Sequence, residues 1–438
     1  MQLKKPSKLS IALAQASSAL LSATTGVVQV HAQETPWQID SAILHYQESG
    51  GRVLAIEPVI ALKNDLGDEH IFNAKLVLDS LTGASPNGAP PANIAQTFTA
   101  SSGGASYTTA PGKLPLDNSF VDARSALSAS WQQPIAPSTR LNVGGNMSIE
   151  FDYLSITGNA AVAKDFNNKN TTLSAGTNLE IDSIMAFGGA PTPLTRVNLK
   201  PVRLAGENES NTTDTKIVTD ALFGLTQVLS RQAIIQVNYA ISFASGYQTD
   251  PYKLLAVLNN NNLVPTTGEY LFEKRPDSRI KHNVYSQLKY HFTEDVINLS
   301  YRYTTDNWNI TSHTIDTRYR FEFGSSGVYI EPHARWYKQS AADFYKPYLV
   351  QGVDVDANGI ALVQYATADS RMSAFDATTF GAKIGIPLEN ETEVSLRVEQ
   401  YKQVNQITNT LITGDLAGQK LVPDLKALMV QFGYSFRW

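Results

Sequence analysis

The chain has 438 residues, of which 42% are hydrophobic and only 17% are charged. It has no cysteine, so if secreted it must hold together without disulfides, and a net charge of −5 gives no reason to expect nucleic acid as a partner. Tyr (19) outnumbers Phe (17) and Gly reaches 28, which suits strands and turns. A closed hydrogen-bonded sheet would supply the missing cross-links.

Residues 1–32 are predicted to be a cleaved signal peptide. Three lysines lie within the first eight residues, Leu9–Val28 is mostly apolar or small, and Val30-His31-Ala32 resembles a cleavage site. The alternative is a membrane-anchoring helix, but Gln15 and the Ser/Thr-rich run make the stretch too weakly apolar. Cleavage would leave 33–438 as a single domain with 32 basic and 40 acidic residues, a net charge of −8.

Past residue 32, the sequence has no apolar run long enough for a transmembrane helix. A membrane-spanning form of this chain must therefore be a closed barrel, because lipid offers backbone polar groups no other partner.

Period-two alternation of apolar and polar residues predicts sixteen strands. In Leu141–Phe151, for example, every second residue is apolar and the residues between them are polar, as in a transmembrane barrel strand. Pro58 interrupts the second strand and suits an edge or a bulge. The predicted strands are 37–47, 52–63, 70–80, 120–131, 139–151, 153–166, 171–184, 216–229, 232–244, 280–292, 295–305, 310–323, 326–338, 373–386, 391–402 and 425–438.

The predicted connections alternate in length. Those after even-numbered strands are short, whereas the long ones (81–119, 185–215, 245–279, 339–372 and 403–424) all follow odd-numbered strands. The fold class predicted is all-β: a transmembrane antiparallel up-and-down β-barrel of about sixteen strands, with short periplasmic turns and long extracellular loops. The expected location is the cell outer membrane, with its lipid as a partner, and no separate plug domain is expected.

The last strand has the most specific pattern. Phe432, Tyr434, Phe436 and Trp438 point to one side, and small or polar residues point to the other. This resembles the C-terminal strand that outer-membrane barrels present to their assembly machinery, which is therefore an expected partner.

Charged side chains point toward the lumen from the eleventh predicted strand, which contains Arg302, and from strands twelve to fifteen. Two interpretations stay open: Arg318, Arg320, Arg335 and Arg397 form a selective constriction, or the acids and bases pair across strands and make the barrel rigid. The inward charged residues are Arg302, Asp316, Arg318, Arg320, Glu322, Glu331, His333, Arg335, Glu393, Arg397 and Glu399.

A loop is predicted at Asp79–Ala89, just outside the third strand. Its polar residues Asp79, Thr82, Ser85 and Asn87 suit the binding of a small anion or docking into the lumen. The alternative is a packed turn that closes the barrel mouth.

Asp354, Asp356 and Asn358 resemble the first half of a calcium loop, but Tyr365 stands where a bidentate Glu is needed. An Asx-rich turn is the preferred interpretation. The histidines lack metal-ligand spacing, and no cofactor is expected.

Several segments resemble a domain-of-unknown-function family of Gram-negative proteins that are predicted to form outer-membrane barrels. The resemblance implies the fold and the location but no activity and no catalytic residue. The segments are Asp79–Ala89, Ser245–Tyr247, Asp250–Lys253, Arg275–Arg279, Glu331–His333, Ser340–Tyr345 and Pro423–Leu425.

The sequence thus predicts a porin-like conduit or a partner-binding barrel, with a periplasmic or co-encoded partner left open. The alternative is an outer-membrane enzyme, or an export or assembly component, that uses the barrel as a scaffold. No G-x-S-x-G nucleophile motif is present.

Overall fold

The computed structural model describes residues 37–99, 106–186, 189–197, 213–260, 265–406, 416, 421–422 and 424–438. The predicted signal peptide, residues 1–32, lies outside the described residues. The 3-10 helices whose residues are all described are Ser49–Gly51, Gly324–Ser326 and Ser370–Met372. The strands in chain order are β1 (Gln38–Glu48), β2 (Val53–Asp65), β3 (Ile71–Pro86), β4 (Gln96–Thr99), β5 (Ser106–Thr109), β6 (Leu116–Ala136), β7 (Thr139–Ile149), β8 (Tyr153–Phe166), β9 (Thr171–Ile184), β10 (Asp214–Val228), β11 (Ala233–Gly246), β12 (Leu254–Leu258), β13 (Pro265–Phe272), β14 (Ser278–His291), β15 (Val296–Asp306), β16 (Thr311–Glu322), β17 (Tyr329–Gln339), β18 (Leu349–Val350), β19 (Phe375–Pro387), β20 (Glu393–Asn405) and β21 (Leu425–Arg437).

Sixteen of these strands form one closed antiparallel barrel, in the order β1-β2-β3-β6-β7-β8-β9-β10-β11-β14-β15-β16-β17-β19-β20-β21. Closure comes from β1 pairing with β21. Beyond this ladder, Trp37 N donates to Trp438 O at 2.7 Å and Trp438 N donates to Trp37 O at 2.9 Å. The predicted all-β, antiparallel up-and-down barrel of sixteen strands is confirmed, and each predicted strand corresponds to one barrel strand.

Pro58 interrupts the pairing of its strand with β3, as predicted, but the expectation of an edge or a bulge there is wrong. Pro58 lies inside β2, between β1 and β3, where a closed sheet has no edge. The register is the same on both sides of it, since Ile56 pairs with Ser80 and Val59 pairs with Val77. Proline has no N–H to donate, so the β2–β3 pairing skips Glu57 and Pro58 without shifting.

Each barrel strand presents one face outward and one to the lumen, because successive side chains point to opposite sides. On β6, the outward Leu127 is 58% exposed and the neighbouring Ser128 faces the lumen. Outward-facing, exposed apolar residues recur on strands around the barrel, for example Ile43, Met147, Ile181, Phe243, Leu299 and Phe432. A band of this kind is what a lipid-facing barrel surface requires.

The two ends of the barrel differ. The turns 66–70, 137–138, 167–170, 229–232, 292–295, 323–328 and 388–392 lie at one end, the short-turn end, together with the beginning of β1 and the end of β21. The other end, the long-loop end, has the connections 49–52, 87–115, 150–152, 185–213, 247–277, 307–310, 340–374 and 406–424. Among the described residues, no helix has the length and apolarity needed to cross a bilayer.

Replacing Leu127 by Arg tests which face meets lipid. A charge at the outward face near the middle of the membrane costs about 2–4 kcal/mol, so Leu127→Arg is expected to lower the free energy of unfolding in bilayers by about that amount. Ser128→Arg is the matched control, since it places the same side chain one position along, toward the lumen. Urea unfolding of barrels folded into vesicles gives both values, and equal losses in the two variants would contradict the assignment of faces.

Candidate functional site

The predicted lumen residues lie on β15, β16, β17 and β20, and β19 lies between the last two of these strands. Cross-strand partners point to the same side of a sheet, so Asp316 opposite Arg335 and Lys383 opposite Arg397 share the lumen face. The other face of these strands has exposed apolar residues, including Phe321, Trp336 and Phe380.

His333 on β17 is at the centre of the charged group. Its Nε2 lies 2.9 Å from Asp316 Oδ2 and its Nδ1 lies 2.9 Å from Glu399 Oε1. The side chain is 3% exposed. A neutral imidazole has one N–H, so both contacts are hydrogen bonds at once only when the ring is doubly protonated. His333 thus links carboxylates of β16 and β20.

The link to Glu399 crosses β19, and a glycine makes room for it. Gly381 stands directly between His333 and Glu399 in the register. A Cβ at Gly381 would lie 2.6 Å from Glu399 Cγ and 2.2 Å from Val398 O. Gly385 likewise leaves room for the Tyr329 ring, because a Cβ added at Gly385 would lie 2.2 Å from Tyr329 Cε1. Glycine within a strand often marks such a close approach.

Arg335 and Arg318 flank Asp316 from either side. Arg335 Nε lies 2.6 Å from Asp316 Oδ2, and Arg318 Nε lies 3.6 Å from Asp316 Oδ1. The two arginine side chains are 32% and 36% exposed. Within the described part of the chain each contacts a carboxylate through Nε, so the terminal N–H groups of both remain available to a solute.

Arg397 is more fully paired. Its Nη1 lies 2.9 Å from Glu399 Oε1 and its Nη2 lies 3.3 Å from Glu331 Oε1. Bridging two carboxylates fixes the Arg397 side chain and leaves its guanidinium group less able to bind a third anion.

Arg320 is held by a ring and an acid. Its guanidinium carbon lies 3.7 Å from the centre of the Tyr329 ring, and its Nε donates to Glu322 Oε1 at 2.9 Å. The Tyr329 hydroxyl in turn donates to Glu393 at 2.8 Å, and Lys383 Nζ lies 2.9 Å from the same carboxylate. The charged residues of β16, β17, β19 and β20 therefore form a ladder of cross-strand contacts.

Arg302 on β15 has no carboxylate partner among the described residues. Its guanidinium lies 5.3 Å from the centre of the Tyr285 ring on the neighbouring strand. A cation over an aromatic face keeps its N–H groups available to another acceptor.

The predicted loop at Asp79–Ala89 needs a correction. β3 continues through Pro86, so Asp79 and Thr82 lie within a barrel strand, and Ser85 has the backbone of Asp117 as its partner. The Asp79 carboxylate is buried against Arg124 of β6, and Nε of Arg124 donates to it at 2.5 Å. The strand extends because the sheet pairing with β6 continues past the end of the apolar alternation.

Asn87 is the predicted loop residue that lies at the mouth. Its Nδ2 donates to the Tyr107 hydroxyl at 2.9 Å, and its Oδ1 accepts from Ala89 N at 2.9 Å. Its carbonyl accepts from Leu254 N at 2.8 Å, so Asn87 connects two of the long connections.

The calcium-loop candidate is an Asx turn in the structure. Asp356 Oδ1 accepts from the backbone N–H groups of Asn358 and Ile360 at 2.9 and 2.8 Å. Asp354 accepts from Val350 N at 2.9 Å and pairs with Lys346 at 3.0 Å. These carboxylates are engaged in local contacts, and Asn358 offers its carbonyl to Arg196 at 3.1 Å.

The long connections fold together at their end of the barrel. We call the described residues of 87–115, 185–213, 247–277, 340–374 and 406–424 the loop cap. Within it β12, β13 and β18 form a sheet, and every residue of β12 is buried. One face of this sheet packs with Ala89, Phe98, Tyr270, Leu416, Leu421, Tyr107, Val197, Phe272 and Tyr348.

That one cluster includes residues from all five long connections. The other face of the sheet packs with Leu194, Leu349, Val355, Ala366 and Ala368. Because the five connections leave the barrel at positions spread around its circumference, a shared core requires them to cross the opening. The loop cap therefore covers the long-loop end.

A buried ionic network joins two of these connections. Arg275 Nε lies 2.7 Å from Glu273 Oε1, and Arg275 Nη2 lies 2.7 Å from Asp369 Oδ2. Arg371 pairs with Asp369 and, at 2.5 Å, with Asp250 Oδ2. Sequence reasoning missed this network, although Asp250 and Arg275 begin two of the segments that carry the family resemblance.

Burial controls the protonation of the network. It raises the pKa of Glu273, despite the neighbouring Arg275. Burial also opposes ionisation of Asp369, but Arg371, Arg275 and Lys253 together hold the pKa of that carboxyl well below its ordinary value. Burial lowers the pKa of Lys253. Asp369 is therefore the carboxylate that stays charged between the two arginines.

The loop cap is fastened to the barrel rim by two side chains from Asp250–Lys253. Lys253 Nζ donates to Pro86 O at 2.6 Å, at the end of β3. Tyr252 hydroxyl donates to Asp152 Oδ2 at 2.6 Å, in the β7–β8 connection. Asp152 lies with Asp122 and Glu150 in an acidic group whose oxygens are within 4.8 Å of one another, the arrangement nearest to a cation site among the described residues.

The predicted assembly strand is β21, the strand that closes the barrel. Phe432 and Tyr434 point outward and are exposed, and Trp438, which follows the strand, is 82% exposed. Phe436 packs against Tyr434 with ring centres 5.5 Å apart. Recognition by the assembly machinery stays a prediction.

Substituting Gly381 by Ala is expected to disturb the contact between His333 and Glu399. The added methyl group would overlap Val398 O and Glu399 Cγ, and such overpacking costs about 1–3 kcal/mol. Urea unfolding in detergent or vesicles measures the loss. Gly158→Ala on β8, where an added Cβ meets nothing within 4 Å, is the matched control. Unchanged stability in Gly381→Ala would show that the close approach is unimportant.

Comparison with solved structures returns outer-membrane barrels at low identity. A bacterial polysaccharide outer membrane secretin is 10% identical over 93% of this chain and 99% of its own, with a TM-score of 0.44. The outer membrane protein opdK from Pseudomonas aeruginosa is 8% identical over 92% of this chain and 99% of its own, with a TM-score of 0.39. OccK2 (OpdF) from Pseudomonas aeruginosa, in complex with glucuronate, is 8% identical over 93% and 100%, with a TM-score of 0.40. At such identities and scores these structures bear on neither substrate nor mechanism.

No curated protein matches the sequence. The family described as "Protein of unknown function (DUF3570)" matches residues 10–436, which confirms the resemblance in the sequence: the chain belongs to this family.

Proposed function

We propose that the protein is a porin-like conduit of the outer membrane, which admits small polar solutes with a preference for anions. In this proposal the lumen-facing arginines select the solute, and the loop cap limits entry at the outer mouth. No cofactor takes part.

The location is supported by the outer surface of the barrel. Exposed apolar residues face outward on strands around the barrel, and aromatic residues gather near the short turns. The aromatic residues there include Trp37, Phe72, Trp131, Phe292, Tyr319, Phe323 and Phe436. The short-turn end then faces the periplasm and the long-loop end faces outward, as barrels of this type are usually oriented.

The observation that carries the proposal is a closed sixteen-strand barrel whose lumen face is polar and charged. Barrels of about this strand number are wide enough to leave an aqueous channel when no plug fills them. Charged side chains on the wall of such a channel set which ions pass.

The four arginines predicted from the sequence to select anions are not the set that the geometry favours. Arg302, Arg318 and Arg335 keep N–H groups available, on the adjacent strands β15, β16 and β17. Arg320 and Arg397 are occupied by Tyr329, Glu322, Glu331 and Glu399, so we assign them to holding the ladder. A solute with a carboxylate or phosphate fits the three available guanidinium groups.

Arg302→Ala and Arg335→Ala are expected to lower anion-over-cation selectivity severalfold, because each removes a cation that faces the lumen. The reversal potential of single channels under a salt gradient measures the change. Lys338→Ala, which removes an exposed cation from the outward face of β17, is the matched control and is expected to leave the reversal potential unchanged. Selectivity identical to that of the unaltered protein in both arginine variants would refute the assignment.

The loop cap is expected to limit conductance. Asp369→Asn removes the carboxylate that Arg275 and Arg371 share, and breaking a buried ion pair typically costs about 3–5 kcal/mol. We therefore expect this variant to loosen the cap and to raise the rate of liposome swelling in arabinose severalfold.

Lys346→Gln is the control for the cap, since Lys346 pairs with Asp354 within the same connection and is 38% exposed. It is expected to leave the swelling rate unchanged. If neither the unaltered protein nor Asp369→Asn passes solute, the conduit is ruled out, and a barrel that acts as a scaffold for a partner becomes the better account.

A further inference from the structure

Three lysines lie together on the outside of the barrel at the long-loop end. Lys338 of β17, Lys402 of β20 and Lys426 of β21 are exposed, and each points outward because it alternates with lumen-facing neighbours such as Tyr337 and Tyr401. We call Lys338, Lys402 and Lys426 the lysine patch. β17, β19, β20 and β21 are consecutive in the barrel order. Three spacings between neighbouring strands therefore separate Lys338 from Lys426, and the patch spans about 15 Å of the surface.

The lysine patch marks the border of the apolar band. The next outward residue below Lys338 is Trp336, and the next below Lys426 is Leu428, which are 39% and 45% exposed. The patch therefore lies at the level where lipid head groups meet the hydrocarbon, and long lysine side chains can extend into that layer.

Among the described residues, the charges of the patch are not matched by an equal number of acids. Lys402 is directly opposite Lys426 in the register, and like charges in that position destabilise a sheet unless an anion lies between them. Within the described residues none of the three lysines has a carboxylate within ion-pair distance. Asp376 of β19, opposite Lys338, is the one acid on this face of β16, β17, β19, β20 and β21, and Gln406 donates to it at 2.6 Å.

The other described barrel strands have no comparable group on their outward face. The outward positions of β1, β2, β3, β6, β7, β9, β10 and β11 contain no lysine or arginine. Lys164 of β8 is the other outward lysine of the described barrel strands, and it lies near the short-turn end over the Phe166 ring. The positive charge is therefore confined to one sector and one level.

We propose that the lysine patch binds the phosphate groups of an anionic lipid in the leaflet at the long-loop end. This inference rests on the membrane placement given under the proposed function, but not on solute transport. Phosphate oxygens accept charge-assisted hydrogen bonds from lysine, and each lysine near an anionic lipid surface strengthens binding by a factor of about five. A lipid phosphate would also relieve the repulsion between Lys402 and Lys426.

The test compares lipid binding by the full chain and by a variant with Lys338→Gln, Lys402→Gln and Lys426→Gln. Native mass spectrometry in detergent measures the affinity for diphosphoryl lipid A and for phosphatidylcholine. We expect the unaltered protein to prefer lipid A and the triple variant to bind lipid A on the order of a hundredfold more weakly. Phosphatidylcholine binding should not change.

Two further variants keep the outcome unambiguous. Lys164→Gln removes an outward lysine at the other end and should bind lipid A like the unaltered protein. Replacing the three lysines of the patch by arginine preserves the charge and should preserve binding. Loss of lipid A binding in Lys164→Gln equal to that of the triple variant, or no preference for lipid A in the unaltered protein, would overturn the proposal.

Inorganic phosphate separates a lipid site from a site for the free ion. Complete displacement of lipid A by millimolar phosphate would overturn the lipid assignment. Liposome swelling by the triple variant is measured in parallel, and we expect it to equal that of the unaltered protein. Failure of the conduit would then appear as absent swelling in both proteins, independently of lipid binding.

Discussion

The pairing of β1 with β21 is the constraint on which the rest of the structure depends. An open sheet would leave a row of N–H and C=O groups unpaired, and in the proposed membrane location lipid would offer them no partner, so the first and last barrel strands pair with each other. Once they do, every barrel strand has two neighbours and the sheet has an inside. The lumen, the ladder of charges and the separation into two ends all follow from this one closure.

Closure also explains why charged residues can be so dense on β16, β17, β19 and β20. Each acid on the lumen face of these strands has a base within reach on the same strand or on one of the next two strands. The ladder forms because β19 has glycine where its neighbours have large side chains. Gly381 and Gly385 let side chains of β17 lie across a whole strand and contact β20. The sites of contact are thus set as much by missing side chains as by charged ones.

The sequence predicts the strands well because period-two alternation is a local property that any one strand displays alone. The outward Phe432 and the lumen-facing Arg335 could be placed for the same reason. The length of β3 could not, since Asp79 to Pro86 is held in the sheet by β6 and not by its own pattern. The pairing of His333 with Glu399 depends on which strand lies two positions away, and Pro58 fits an interior strand only because its neighbours keep register without it.

The loop cap was beyond sequence reasoning for a further reason. Its core takes Phe98, Leu254 and Leu416 from connections far apart in the chain, and no local period links them. Loops usually tolerate substitution and insertion one at a time, because each makes few contacts with the next. Here five connections share one hydrophobic cluster, so a change of length in one would displace the others. The sequences of the five connections should therefore change together between related proteins. Positions that vary independently should be limited to exposed tips such as Val353 and Ile360, which lie outside the shared core.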